Sequence, residues 1–214
     1  MSEVMNYRRI GLGGFDLDGT LLRGDSVCEA IARQLGRLER MRELERARTL
    51  EEIKAGREEM RDWYSSVTVS KLCSYLMSLQ LAPGVQAGFS LLKQHGVKIA
   101  IVSITWEFAV EWFAGRLGAD YYVGTGPSPN GDISHFWPHD KPRWLAELTQ
   151  QLGLGLNEVV AVGDSSSDLD MLRVVGHPFF VGRDKPEGLE HVSHHPDGNI
   201  HEVAQQIVGT LIRT

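Results

Sequence analysis

Three short apolar stretches constrain this chain more than anything else in it. Ile10 to Phe15 is apolar and glycine-rich and stops at Asp16-Leu17-Asp18-Gly19; Val97 to Val102 is broken only by Lys98; Val159 to Val162 carries no polar side chain. Runs of this kind suit strands of a parallel sheet covered on both faces. Between and after them the spacing predicts helices: one ending near His95 with Gly96 as its C-terminal cap, then Thr105 to Leu117, Lys141 to Leu152, Asp168 to Val175 and Ile200 to Ile212. Phe179 to Val181 reads as a further strand, and Tyr121 to Ser134 as a strand and a turn-rich excursion with Pro127, Pro129 and Asn130-Gly131 as breakers. Alternating strands and helices predict an α/β fold, a doubly wound, Rossmann-like and mostly parallel sheet. In such sheets ligands collect at the carboxyl ends of the strands, where most of the polar residues of interest fall.

From Asp25 to about Gln80 the character changes. Leucines and alanines recur at helical spacing, and Arg37 to Asp62 mixes Arg and Glu densely, as solvated helices laced with ion pairs do. Pro83-Gly84 closes the block. The 214 residues suffice for one core and a modest insert. We therefore expect a core domain of residues 1–24 and 81–214 and a small helical cap domain of residues 25–80. The net charge of −6 argues against broad nucleic-acid binding. Cys28 and Cys73 are too few for a disulfide framework and fit a reducing cytoplasm. The first fifteen residues include Glu3, Arg8 and Arg9, and no signal peptide or membrane-spanning run is expected, so no membrane partner either.

Four constellations carry chemistry. In Asp16-Leu17-Asp18-Gly19-Thr20, one carboxylate could attack phosphorus while the other exchanges a proton with the leaving oxygen. A carboxylate is already ionised at neutral pH, but its repulsion from a phosphate dianion calls for a metal cation. A plain Asp-Gly turn is the bland alternative; a calcium loop fails because Thr20 and Leu21 stand where the third acid and the required glycine belong. Ser103 follows an apolar strand and could hold phosphate oxygens with adjacent amides, although Ser103-Ile104-Thr105 also reads as a helix cap. Lys141 opens a helix against the helix dipole, which suggests a charge-neutralising duty; a solvated lysine is the alternative. In Gly163-Asp164-Ser165-Ser166-Ser167-Asp168, Asp164 is placed as a hard oxygen ligand for magnesium. Asp168 could ligate through water or brace Lys141, and Ser166 or Ser167 could cap the following helix.

These motifs, in this order, resemble the haloacid dehalogenase superfamily, and most closely its phosphoserine phosphatase branch. The resemblance covers about Ile10 to Arg23 and Leu81 to Val181, with the helical insert between them similar to that branch's small cap. It implies an aspartyl-phosphate on Asp16 and an acid/base role for Asp18. It implies Mg2+ held by Asp16, the backbone carbonyl of Asp18, and Asp164, with Thr20, Ser103 and Lys141 around the phosphoryl group. The substrate would be a small phosphorylated metabolite, phosphoserine foremost. The chain departs from that pattern at Ile104 and Thr105, where the branch has two glycines, at Ser167 in place of an asparagine, and at Asp25, one methylene shorter than the glutamate that meets a substrate amino group. Arg57 and Arg61 are the candidates for reading a substrate carboxylate. A phosphotransferase or mutase with the same nucleophile, and a non-catalytic phosphate-binding module, are the competing readings. Dehalogenation is disfavoured by the retained metal residues. His191, His194, His195 and His201 read as a solvated loop, and Trp106 as core or as a wall of the substrate pocket.

Overall fold

The computed structural model describes residues 10–127 and 131–212; Glu3, Arg8, Arg9, Pro129 and Asn130, named above, lie outside them. A seven-stranded sheet runs in the order β6-β5-β4-β1-β7-β8-β9. Its strands are β1 Leu12–Phe15, β4 Lys98–Trp106, β5 Tyr121–Pro127, β6 Ile133–Ser134, β7 Val159–Gly163, β8 His177–Phe180 and β9 Ser193–His194. Every neighbouring pair is parallel except β5 with β6. The fold class read from the sequence holds.

The apolar runs are explained by two cores, one on each face of the sheet. Phe15, Ile99, Ile101, Val160 and Val162 point into one cluster, while Leu12, Ala100, Val102, Val159 and Ala161 point into the other. Successive side chains alternate between faces, and both faces are dry, so neither tolerates polar residues. The first core takes in α5 Val85–Gln94, α6 Glu107–Leu117 and α9 Ile200–Ile212, and the second is closed by α7 Asp140–Gln151 and α8 Leu169–Val174.

The insert holds α1 Val27–Gln34, α2 Leu38–Leu44, α3 Leu50–Tyr64 and α4 Val69–Tyr75. Ser26 with Glu29, and Thr49 with Glu52, form reciprocal capping boxes that start α1 and α3. The two ends of the insert are joined by a short antiparallel ladder, β2 Leu22–Arg23 with β3 Gln80–Leu81. Two-residue strands carry no readable periodicity, and this ladder was not anticipated. Among the described residues no helix is long and apolar enough to cross a membrane.

Two boundaries differ from expectation in ways that matter for the site. β4 does not stop at Val102 but runs on to Trp106, with a register shift against β5 between those residues. The helix expected from Thr105 therefore begins at Glu107, and its N-cap, Trp106, makes no side-chain cap bond, so Ser103 and Thr105 are not helix caps. The helix expected over Asp168 to Val175 is α8, Leu169–Val174, but a short 3-10 turn, Ser166–Asp168, leads into it, and the capping hydroxyl there is that of Ser165 rather than Ser166 or Ser167.

Candidate active site

Register places the site. Phe15 pairs with Ile101 of β4 and with Val162 of β7. Asp16 follows β1, Ser103 lies two residues past Ile101 within β4 and Asp164 follows β7, so the three come from adjacent strands at the carboxyl end of the sheet.

Lys141, the second residue of α7, reaches into this end and is fully buried. Its ammonium donates to Asp16 Oδ1 at 2.7 Å and to Asp168 Oδ1 at 2.6 Å. Burial pulls the Lys141 pKa down, but the charges of Asp16 and Asp168 outweigh it and hold the group above its ordinary value. The position against the helix dipole is thus accounted for by two carboxylates that would otherwise be buried without a cation.

Asp168 has both oxygens engaged. Beyond Lys141, its Oδ2 accepts from the Asp164 and Ser165 amides, each at 3.1 Å, and from the Ser165 hydroxyl at 3.2 Å. Gly163 allows this approach, since a Cβ there would collide with the Asp168 side chain. Of the two alternatives open from sequence, the geometry matches the brace. Asp164 accepts from the Thr20 hydroxyl at 3.0 Å. Gly19, at φ +84°, closes the turn beneath it, in a conformation that disfavours other residues, and a Cβ there would also strike the Asp164 carboxylate.

Carboxylate oxygens of Asp16, Asp164 and Asp168 lie within 4.8 Å of one another. Burial, then the charges of Asp168 and Asp164, push Asp16 up against the opposing pull of Lys141. Asp164 is raised by burial and by Asp168. A single lysine does not neutralise three acids, two buried and one half-buried, and the donors are hard oxygens, so the set fits a divalent cation such as Mg2+. With Asp168 fully engaged, Asp16 and Asp164 are the carboxylates that would hold it.

Asp18 lies two residues on, in the turn that follows β1. Its Oδ1 accepts from the Val27 amide at 2.8 Å, at the start of α1. Burial is the main cause of its raised pKa, about 6, with Asp164 adding to it against that hydrogen bond. A carboxyl with a pKa near neutrality is suited to exchanging protons with a leaving oxygen and with water.

Asp18 also lines a cavity of about 280 Å3 between the insert and the strand ends. Ile104, Thr105, Trp106 and Arg57 contribute to its wall; Ser103, at 1% exposure, is buried and accepts from the Thr105 amide at 3.3 Å. Arg57 is held by the core: it donates to the Ile104 carbonyl at 3.1 Å and the Phe136 carbonyl at 3.3 Å, meets His135 Nδ1 at 3.0 Å, and lies over the Trp137 ring at 4.4 Å. Asp25 and Arg61 are not brought to the cavity. The Asp25 carboxylate is captured by Arg33 at 2.6 Å on the surface, and Arg61 is exposed beside Asp62. Two residues were missed from sequence. Arg23 donates to the carbonyls of Gly19, Thr20 and Gly198, tying the Asp18-Gly19-Thr20 loop to the C-terminal segment. Glu45 lines the cavity and accepts from the Ser26 hydroxyl at 3.2 Å. Neither belongs to a motif, and no local pattern marks them.

Known proteins resemble this chain in sequence and in fold. Phosphoserine phosphatases of Albidiferax ferrireducens (29% identical over 181 residues, covering 76% of this chain and 74% of that one) and Methanocaldococcus jannaschii (24% over 172 residues, 76% and 81%) are similar in sequence. A solved apo phosphoserine phosphatase superposes with a TM-score of 0.74 at 19% identity, over 92% of this chain and 98% of that one. A cobalt-bound deoxy-D-mannose-octulosonate 8-phosphate phosphatase of Haemophilus influenzae does so with a TM-score of 0.56 at 16% identity, over 96% and 91%. At such identities the likeness of structures carries the fold alone. The haloacid dehalogenase-like hydrolase model matches residues 14–173, an unbroken span from β1 through the Asp168 brace, and on that match the chain belongs to the haloacid dehalogenase-like hydrolase family.

Proposed function

We propose that this hydrolase is a magnesium-dependent phosphatase that cleaves a small phosphate monoester through an aspartyl-phosphate on Asp16. The observation that carries the reading is the buried Lys141 bonded to both Asp16 and Asp168, beside Asp164. Bound Mg2+ would supply the charge neutralisation that lets a carboxylate approach a phosphate dianion. Asp16 attacks phosphorus and the ester P–O bond breaks. Asp18 gives its proton to the departing alkoxide. In the second half a water attacks the aspartyl-phosphate, Asp18 takes the water's proton, and inorganic phosphate leaves with Asp16 restored. Lys141 keeps Asp16 oriented and offsets charge on the transferring group, with Thr20 and Ser103 at its margin. On a loose phosphoryl transition state such positioning and electrostatics supply most of the rate.

Under this reading residues 25–80 form a cap over a core of residues 1–24 and 81–214, with the β2–β3 ladder at their junction. Phosphoserine, the compound in the relatives' names, is the reference substrate; a phosphotransferase would use the same groups if the closed insert kept water out. The free thiols of Cys28 and Cys73 support a cytoplasmic location. The test is phosphate release from a monoester panel with and without Mg2+, comparing wild type with Asp16→Asn. Release by wild type alone, lost with chelator, is the expected outcome; equal release by the variant would sink the covalent mechanism.

A further inference from the structure

The cavity above Asp18 has the wrong chemistry for a small zwitterion, and on the phosphatase reading this names a substrate class. We infer that the preferred substrate is the phosphate monoester of a largely apolar alcohol without a carboxylate, and that phosphoserine is a poor one.

Three observations carry this. First, the wall is apolar: Met41, Leu44, Ile53 and Met60 from the insert face Ile104 and Trp106 from the end of β4. An apolar group entering there gains from removal of its surface from water, whereas a carboxylate loses hydration and meets the acids Asp18 and Glu45. Second, the cavity's charged groups do not match phosphoserine. Arg57 is the one cation among the lining residues, and both terminal guanidinium nitrogens are engaged by Ile104, Phe136 and His135. The acid that resemblance assigns to the amino group, Asp25, is ion-paired to Arg33 outside. Glu45, the anion that the insert presents, would repel a substrate carboxylate. Third, the space is generous. An apolar cavity of about 150 Å3 takes benzene, and this one measures about 280 Å3. Ile104 stands where the similar branch has a glycine, so the residue flanking the phosphate end contributes hydrocarbon as well.

The experiment measures kcat/KM with Mg2+ for 2-phenylethyl phosphate, phosphoserine and acetyl phosphate, in wild type and in Ile53→Gln. The first two leave as primary alkoxides, so their ratio reports recognition rather than leaving-group reactivity. We expect 2-phenylethyl phosphate to be favoured about tenfold or more, mainly through KM, the range a hydrophobic pocket can supply. Ile53→Gln puts an amide on the wall at little cost to the helix and should cut that ratio about fivefold. A ratio at or below one, or one that Ile53→Gln leaves unchanged, overturns the inference. Turnover of acetyl phosphate or phosphoserine without 2-phenylethyl phosphate also overturns it, while leaving the phosphatase reading intact. Phosphate release from none of the three overturns both.

Discussion

The carboxylate cluster at the strand ends and the cavity wall that the insert supplies are built on opposite principles. At the strand ends, Asp16, Lys141, Asp164 and Asp168 are buried or half-buried, each held by at least one hydrogen bond, on elements packed into two dry cores. On the insert's side, the wall is mostly hydrocarbon, and the charges of the insert pair mostly with one another at the surface: Arg33 with Asp25, Arg40 with Glu43 and Glu59, Arg42 with Glu39. Exposed pairs of that kind contribute little stability and can be exchanged cheaply. The first region cannot lose Lys141 without leaving buried carboxylates unpaired; the second can change its lining residue by residue. Chemistry is therefore fixed where the sheet ends, and selectivity is free to drift in the insert.

The largest effect expected from breaking the first region is at its centre. Asp16→Asn removes the nucleophile's charge with almost no change of shape, and turnover should fall on the order of 10^4-fold or more, as for other nucleophile deletions. Circular dichroism and the unfolding midpoint should stay near wild type. A loss of fold instead would mean that the Asp16–Lys141 bond is structural before it is catalytic.

Lys141→Met should come next, and it is the sharper test of the contrast. It leaves Asp16 and Asp168 buried without their shared cation, which should destabilise the protein by about 3–5 kcal/mol. Urea unfolding measures this directly. The same change at Arg40, which bridges Glu43 and Glu59 on the exposed face of the insert, should be close to silent. Comparable losses at both positions would erase the distinction between the two regions.

How far the sequence disclosed this molecule follows the same divide. Asp16, Ser103 and Asp164 were legible because each trails an apolar run, and a strand's end is a position that pattern locates. Lys141 was legible because its place in a helix is unfavourable unless something acidic faces it. The extension of β4 was not, because Ser103 and Thr105 look polar enough to end a strand although Ile104, Thr105 and Trp106 all favour one. In the insert, Arg57 and Arg61 are one turn apart on α3 and similar as letters. Only the fold decides that one meets Ile104, Phe136 and Trp137 while the other meets solvent. Glu45 and Arg23 were invisible for the same reason: long side chains choose partners that are distant in sequence.

A third prediction joins metal and pH. Asp16, Asp18 and Asp164 all have raised pKa values in the fold, with burial the leading cause. Their protonated forms favour the native state, so in the metal-free protein these three groups contribute stability that is fully present below the ordinary carboxylate range and is lost as pH rises toward and past 6. For Asp18, raised from 3.8 to about 6, the loss is about 3 kcal/mol at most. A cation favours the ionised forms, so the increase in melting temperature given by Mg2+ should grow between pH 5 and pH 7.5. Thermal unfolding across that range checks it. A Mg2+ effect independent of pH would place the ion away from these carboxylates.

The smallest effect separates the two arginines of α3. Arg57→Ala removes a cation stacked on Trp137 and two donors to main-chain carbonyls, but Thr125 also donates to the Ile104 carbonyl at 3.0 Å, so that oxygen keeps a partner. The expected cost is about 1–2 kcal/mol, with KM raised for every monoester because the wall of the cavity loosens. Arg61→Ala should fall within about 0.5 kcal/mol of wild type, with unchanged kinetics. The pattern across substrates is what decides the role of Arg57. A brace raises KM uniformly, whereas a reader of a carboxylate loses phosphoserine alone and leaves stability untouched. The second result would return Arg57 to the role that resemblance gives it and move the insert's wall from hydrocarbon drift to specific recognition.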